Sequence, residues 1–556
     1  MSRTKYDFGL YHATPVADLK SLVDFAAVQY GERPAFIYQE AMGEETRRIS
    51  YARYRQDIQE VACGLVNALK IDLGRRDSKR IALLAPNSYW WSVCYLAVTT
   101  INHIIVPLDP NLPTADLLAF MQRAGVSSLI FTSDIDDKIK QLKTQLAKIK
   151  HYISIDHSQQ ASISLEKIQQ LGVKQLRKNA GMYDDVKVFP ETLSTLIFTS
   201  GTTSTPKAVM LTHKNLTADV FGMKQLNEFD HETLLSMLPL YHSYEFMVGL
   251  LFQIYVGSTI YYMTGGLPKF HENLQKVRPS VLVLVPLIVE ETYKRVCASV
   301  TDPKDQVAVG SALREYFGGR LTRIIDGGAP LNSDIAEAYD QAGIKLLQGY
   351  GISECAPVVS MNPDCYYKPR SVGMPLPNVR VKIFEADGDG IGEVIVRGPN
   401  VMLGYYKDER QTDKAIIDNW LHTGDYGRFD EDGFLYIVGR KKNVIVGKNA
   451  KKIYPEEVEY HLSCQPEIRE ALVYGKVIDD DTKVAALIVA DQAAISKRHP
   501  ELGTKPAAGK LEKLIGAVVD KVNATNIKYK AIVDWQLVDS LPRTSTGKVK
   551  RSLATS

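Results

Sequence analysis

A chain of 556 residues with 45% hydrophobic and 24% charged side chains is too long for one hydrophobic core and has the composition of a folded multidomain protein. Its formal net charge of +3 is small for this length and does not suggest a nucleic-acid partner, which requires a concentrated basic face. The six cysteines, Cys63, Cys94, Cys297, Cys355, Cys365 and Cys464, are scattered without a C-x-x-C pair, which argues against a disulfide scaffold or a structural zinc site and fits reduced thiols.

The opening MSRTKYDFGLYHATP lacks the apolar run of a signal peptide. The longest apolar runs, such as Val281 to Val289, are too short to span a bilayer. The expectation is a soluble, cytoplasmic protein without an integral membrane segment; peripheral membrane contact stays open, although no amphipathic basic helix demands it. Residues 50 to 70 place Ile58, Val61, Ala62, Leu65, Val66 and Leu69 at helical spacing behind a Ser50 cap. RIALLAP then reads as a buried strand, Ser88 to Ile101 as an apolar helix, IIVPLDP as a strand, Thr114 to Ala124 as a helix and SLIFTS as a strand. That alternation predicts a parallel α/β sheet. Asp134 to Lys187, polar and lysine-rich, reads as peripheral helix and connection. The alternation resumes at Thr195 and passes Leu346; from about Arg370 the segments VRVKIFE, GEVIVRG and GFLYIVGR are β-rich and punctuated by Gly and Pro. A last block from Lys441 mixes short strands with a polar helix around Lys510 to Val522. The predicted organisation is α/β: a large N-terminal domain, residues 1–440, of parallel-rich sheets flanked by helices plus a β-rich subdomain, then a small α+β C-terminal domain, residues 441–556.

The strand Ser194 to Thr199 runs into Thr199-Ser200-Gly201-Thr202-Thr203-Ser204-Thr205-Pro206-Lys207. Backbone N–H groups and hydroxyls supply the many short-range donors a polyanion needs, and Lys207 adds a compact positive charge. Alone, the tract reads equally as a solvated Ser/Thr turn. The Walker form G-x-x-x-x-G-K-[ST] is absent, which disfavours a P-loop kinase or GTPase. Further along, the small residues of Asp326-Gly327-Gly328-Ala329-Pro330-Leu331 would let backbone approach a flat ring. Nineteen residues after Ala329 comes Gln348-Gly349-Tyr350-Gly351-Ile352-Ser353-Glu354, with an aromatic face for a base and a hard oxygen for a hard cation. Trp420-Leu421-His422-Thr423-Gly424-Asp425 carries a carboxylate suited to two adjacent donors. It is followed by Gly439-Arg440-Lys441-Lys442-Asn443, by VGKNAKKIYPEE from Val446, and by Pro542-Arg543-Thr544-Ser545-Thr546-Gly547-Lys548. Each has a plain alternative as a turn or a solvated basic surface.

TSGTTSTPKAVMLTHKN and the motifs after it resemble, in kind and in order, the signature of the adenylate-forming superfamily of acyl-CoA synthetases, adenylation domains and luciferases. The likeness runs from Ser194 to Arg551 and is greatest to long-chain acyl-CoA synthetases, through LPLYHSYE and KKNVIVGKNAKKIYPEEVE. It departs at Ser204, Ala208 and Ala450, where the family commonly has Gly. The resemblance implies that Thr199, Ser200, Gly201, Thr202, Thr203 and Lys207 bind the ATP phosphates, and that Gly327, Gly328, Ala329, Tyr350 and Gly351 receive adenine. Ser353 would approach the α-phosphate, and Glu354, with Thr203, would hold Mg²⁺. Asp425 and Arg440 would hold the ribose. It further implies that Lys442 is a hinge about which the small domain rotates. Lys548 would bridge carboxylate and phosphate in one arrangement, and Gly447, Lys448 and Lys451 would line the coenzyme A entrance in the other. His242 matches an aromatic gate beside the acyl carboxylate, with a core histidine as the alternative; Phe246, Met247, Leu250, Leu251 and Phe252 offer an apolar surface for an alkyl chain. The aspartate that amino-acid-activating relatives use for an ammonium is not evident, with Glu245 as a conceivable substitute. The function implied is an ATP-dependent carboxylate–CoA ligase working through an acyl-adenylate, with a long-chain fatty acid as first choice. The alternatives are an acyl-AMP ligase loading an acyl carrier protein, an amino or aryl acid adenylating enzyme, and a non-catalytic acyl or nucleotide binder.

Overall fold

The computed structural model describes residues 8–39, 45–71, 73, 78–199, 206–328, 331–447, 451–479, 481–503, 507–543, 549 and 551. The expected early alternation is present: the helix Tyr51–Leu69 starts behind Ser50, whose side chain accepts the Arg53 N–H. Ser88 caps Tyr89–Thr99 in the same way, through the Trp91 N–H. Satisfying an orphan N–H of the first turn is what makes Ser a start signal. Arg80–Leu84, Ile104–Pro107 and Ser128–Phe131 are parallel neighbours in one sheet.

The chain forms two compact units that interleave in sequence. The first takes Met1–Val381, Val396–Leu421 and Asp430–Leu435, the second Lys382–Ile395, His422–Phe429 and Tyr436–Ser556. The β-rich stretch after Arg370 is therefore divided between them.

In the first unit, a nine-stranded sheet has the order Met374–Pro375, Val358–Met361, Lys345–Gly351, Arg323–Gly327, Val281–Leu284, Thr233–Ser236, Thr259–Tyr262, Pro34–Tyr38, Arg47–Ser50. From Lys345–Gly351 to Pro34–Tyr38 every pairing is parallel, and the flanking ones are antiparallel. The apolar run at Val281 is a strand only as far as Leu284; Pro286, at the first turn of the helix Pro286–Ser299, ends it. The second sheet has eight strands, with Leu193–Thr199 between Lys207–Thr212 and Ile104–Pro107.

The segment Asp134 to Lys187 is more than peripheral connection. His151–Ser154 and Ile163–Ser164 extend the second sheet, and the helix Leu165–Lys178 lies against Tyr51–Leu69. The approach is so close that a Cβ on Gly172 would sit 1.7 Å from the Glu60 carbonyl oxygen, and one on Gly64 1.9 Å from that of Ile168. Only glycine allows two helix backbones this near, and the low hydrophobicity that suggested a peripheral role conceals it.

The second unit has a three-stranded sheet, Ile468–Ile478, Asp481–Ala490 and Ile532–Leu537. The helices Pro455–Ser463 and Ala508–Thr525 cover it with Val458, Leu462, Ile515, Val519 and Val522, all buried on Val473, Ala486 and Ile488. Among the described residues no helix is long and apolar enough to cross a membrane.

Candidate active site

In an open parallel sheet, ligands gather outside the carboxyl ends of the strands. There, in the first unit, lies the turn His242-Ser243-Tyr244-Glu245, tied by three consecutive side chains to four elements. Ser243 Oγ is 3.0 Å from Ser353 Oγ. The Tyr244 hydroxyl donates to the carbonyls of Leu284 (3.3 Å) and Ile325 (3.1 Å), on two neighbouring strands. The Ser236 hydroxyl, at the end of a third, donates to Glu245 Oε1 at 2.5 Å. His242, the residue this turn presents, is exposed, so the core-histidine alternative does not hold. Gly327 lies against the Tyr244 ring, 3.4 Å from where its Cβ would be.

Burial dominates the electrostatics under this turn. It pushes the Glu245 carboxyl up to about 8 against the opposing Ser236 hydrogen bond. Burial, and secondarily Glu290, pushes Asp326 well above the usual carboxylate range. A Glu245 that keeps its proton at neutral pH offers no charge to a substrate ammonium. The expected apolar surface is corrected here: Phe246, Met247, Leu250, Leu251 and Phe252 are at most 2% exposed. Glu245–Leu251 forms a π-helical stretch packed into the core, and wider helical winding of this kind is uncommon and concentrated near functional sites.

Thr199 and Lys207 are paired across antiparallel strands, at the two ends of the expected phosphate turn. The Lys207 ammonium rests 4.5 Å from the centre of the Tyr405 ring, and the Tyr405 hydroxyl donates to Glu354 Oε1 at 2.8 Å. Glu354 is in turn braced through its backbone. The Met402 N–H donates to its carbonyl (2.9 Å), Asn400 Nδ2 donates to the carbonyls of Cys355 (3.2 Å) and Val358 (2.8 Å), and Asp219 Oδ2 accepts the Val358 N–H at 2.7 Å. Burial pushes the Asp219 carboxyl well above its ordinary range. Gly351 precedes this loop where a Cβ would meet the Pro357 carbonyl oxygen at 2.0 Å, and Tyr350, half-buried, pairs with Ser360. Lys207, Ser353, Glu354 and the His242 turn are thus linked by direct contacts although up to 147 residues separate them. Gly328, exposed, follows Gly327 at the end of its strand.

The second unit holds the remaining described candidates. Arg440 Nε meets Asp425 Oδ1 at 2.9 Å, with Asp425 nearly buried and Arg440 half exposed. Beside them Glu393, which sequence reasoning did not single out, accepts from Lys441 (2.8 Å), His422 (3.1 Å) and the Gly424 N–H (3.1 Å). Burial opposes its ionisation, but the Lys441 and His422 hydrogen bonds prevail and hold it below the usual range. Lys442 lies in the short turn Lys441–Asn443. Gly447 follows one strand of the hairpin Ile445–Val446/Lys452–Ile453, and Lys451 precedes the other, its ammonium 4.6 Å from the Tyr529 ring centre. Near the end of the described chain, Arg543 pairs with Glu470 and Arg551 with Glu459. Ser200, Gly201, Thr202, Thr203, Ala329, Lys448 and Lys548 lie outside the described residues.

The chain was compared with known proteins. It is 27% identical to the long-chain-fatty-acid–CoA ligase of Escherichia coli O157:H7 over 96% of this chain and 93% of that one. It is 26% identical to the 4-coumarate–CoA ligase of Pinus taeda over 94% and 91%. The structure of o-succinylbenzoate CoA synthetase from Bacillus subtilis, in complex with its acyl-adenylate intermediate, superposes with a TM-score of 0.75 over 98% of this chain and 99% of that chain at 21% identity. The family described as AMP-binding enzyme matches residues 23–406, the span that contains Lys207, the His242 turn, Tyr350, Ser353, Glu354 and Tyr405. The chain therefore belongs to the AMP-binding enzyme family and is an adenylate-forming acid–thiol ligase.

Proposed function

We propose that the chain is a cytoplasmic ATP-dependent carboxylate–CoA ligase whose acid is a long-chain fatty acid. The observation that carries the reading is the convergence of Lys207, Ser353, Glu354 and the His242 turn on the carboxyl ends of the parallel strands. The 27% identity to a long-chain-fatty-acid–CoA ligase over 96% of the chain favours the fatty acid among carboxylates.

A carboxylate and a triphosphate repel each other, so the protein must hold both and neutralise charge. Thr199 to Thr203 and Lys207 receive the phosphates. Gly327 to Ala329, Tyr350 and Gly351 receive adenine, and Asp425 and Arg440 receive the ribose. Glu354 suits Mg²⁺: one oxygen takes the Tyr405 hydroxyl, while the other has no hydrogen-bond partner among the described residues, and Mg²⁺ favours one or two carboxylates plus phosphate oxygens. Glu354 and Thr203 would hold the ion, which supplies charge neutralisation at the phosphates. His242 closes beside the carboxylate. A carboxylate oxygen attacks the α-phosphorus, the bond to the β-phosphate bridging oxygen breaks, and pyrophosphate leaves while Lys548 offsets the added negative charge. The thiol of coenzyme A then loses its proton and attacks the acyl carbonyl; the bond to the AMP oxygen breaks and AMP leaves. In this reading residues 441–556 rotate about Lys442 between the steps, exchanging Lys548 for Gly447 to Lys451.

The test measures thioester yield over aliphatic acids of increasing chain length, aryl acids and amino acids, with free coenzyme A or a phosphopantetheine carrier protein as acceptor. The expected result is preference for long aliphatic acids and for coenzyme A. Preference for an aryl acid would overturn the substrate assignment, and preference for the carrier protein would overturn the acceptor.

A further inference from the structure

The contacts of Lys207 and Glu354 share one intermediary that no motif marks. Tyr405 is 6% exposed. The short strand Gly404–Tyr405 pairs with the far part of Lys207–Thr212, Tyr405 standing opposite Val209. The backbone is fixed there by the Leu403 N–H on the Met210 carbonyl (3.0 Å), the Tyr406 N–H on the Ala208 carbonyl (2.8 Å) and the Tyr405 N–H on Thr412 Oγ1 (2.9 Å). The ring therefore arrives on a rigid edge, one face beneath the Lys207 ammonium at 4.5 Å and its hydroxyl on Glu354 at 2.8 Å. A cation over an aromatic face is attracted by the ring quadrupole, and a phenol donating to a carboxylate is a charge-assisted bond that fixes which oxygen stays free.

We propose that Tyr405 is a positioning residue for adenylation, holding Lys207 and Glu354 in one fixed relation so that the phosphate-binding cation and the metal-binding carboxylate are set before nucleotide arrives. The proposal rests on the roles assigned to Lys207 and Glu354 above. It makes separable demands on the two parts of the side chain: the hydroxyl serves Glu354 and hence Mg²⁺, while the ring serves Lys207 and hence the phosphates.

The experiment titrates Mg²⁺ against ATP binding, followed by calorimetry without an acid substrate, for the wild type, Tyr405→Phe and Tyr405→Leu, with a melting curve for each. Tyr405→Phe keeps the ring and should raise the Mg²⁺ concentration at half-effect by about tenfold, the usual consequence of losing one hydrogen bond to a charged group. Its ATP affinity at saturating Mg²⁺ should stay within about twofold. Tyr405→Leu should show the same Mg²⁺ shift and also weaken ATP at saturating Mg²⁺ by about threefold or more, the size of a partly desolvated cation–π contact. An unchanged Mg²⁺ requirement in a folded Tyr405→Phe overturns the inference, as does a lowered melting temperature with both binding parameters intact. Binding of ATP by the wild type without pyrophosphate release on adding any acid would instead overturn the functional reading and leave these binding shifts to be judged on their own.

Discussion

Replacing Asp219 tests whether the loop bearing Ser353 and Glu354 is held by a buried acceptor. Asp219 is fully buried, and its Oδ2 takes the Val358 N–H at 2.7 Å. Asp219→Ala leaves that N–H buried without an acceptor, a loss of about 1–3 kcal/mol. The carbonyls of Cys355 and Val358 keep their Asn400 bonds, so the loop should loosen while the fold persists. Where the whole loss falls on nucleotide binding, the KM for ATP rises by about fivefold to 150-fold, at about 1.36 kcal/mol per decade. Asp219→Asn retains an oxygen acceptor of the same reach. Burial pushes the native carboxyl well above its usual range, the direction of a neutral acceptor, so the amide should stay within about threefold of wild type, a difference of under about 0.7 kcal/mol. The assay is pyrophosphate release at saturating acid with ATP varied, alongside a melting curve. An Asn variant as impaired as the Ala variant would refute the acceptor reasoning, and an unchanged KM in the Ala variant would refute the brace.

Lys548→Ala should slow adenylation by about 10²- to 10³-fold, the usual effect of losing one charge-stabilising donor, while thioester formation from supplied acyl-adenylate largely survives; equal loss in both half-reactions would contradict the two-arrangement scheme. Gly172→Ala forces a methyl to within 1.7 Å of the Glu60 carbonyl oxygen, so the two helices must part, and a loss of about 1–3 kcal/mol or more should appear in denaturant unfolding. Glu245 has a folded pKa of about 8, raised from an unfolded value near ~4.3, so its contribution to stability is fully present below the lower value and is lost as pH rises through the upper one. Between pH 5.5 and 7.5 this predicts a fall of a few kcal/mol from this one group, which Glu245→Gln should abolish while keeping the Ser236 hydrogen bond.

What the sequence disclosed follows from the range over which each signal acts. Ser50 and Ser88 announce helix starts because a cap is satisfied within three residues, and the strands of the opening alternation are marked by local apolar runs. The motif residues were legible one by one, and their order in the chain pointed to the family. Their mutual support was not. Asp219, Asn400 and Tyr405 come from a helix, a loop and a short strand, and only folding brings them to the Glu354 loop. Glu393 likewise becomes a hub only when His422 and Lys441 reach it. The apolar stretch after Glu245 misled because composition alone does not distinguish a pocket wall from packed core, and here the side chains are buried. The close packing of the helix Leu165–Lys178 was hidden by the opposite effect, since its contact uses Gly172 rather than large apolar side chains.

The account depends on a carboxylate being activated through the α-phosphate of ATP. The direct measurement incubates the protein with Mg²⁺, ATP labelled in turn at the α- and γ-phosphates, and a long-chain fatty acid, omitting coenzyme A, and identifies the phosphorus products. The expected result is pyrophosphate together with an acyl-linked AMP, both dependent on the acid and convertible to thioester and free AMP when coenzyme A is added. Release of ADP and inorganic phosphate, or no acid-dependent cleavage of ATP at all, would contradict it.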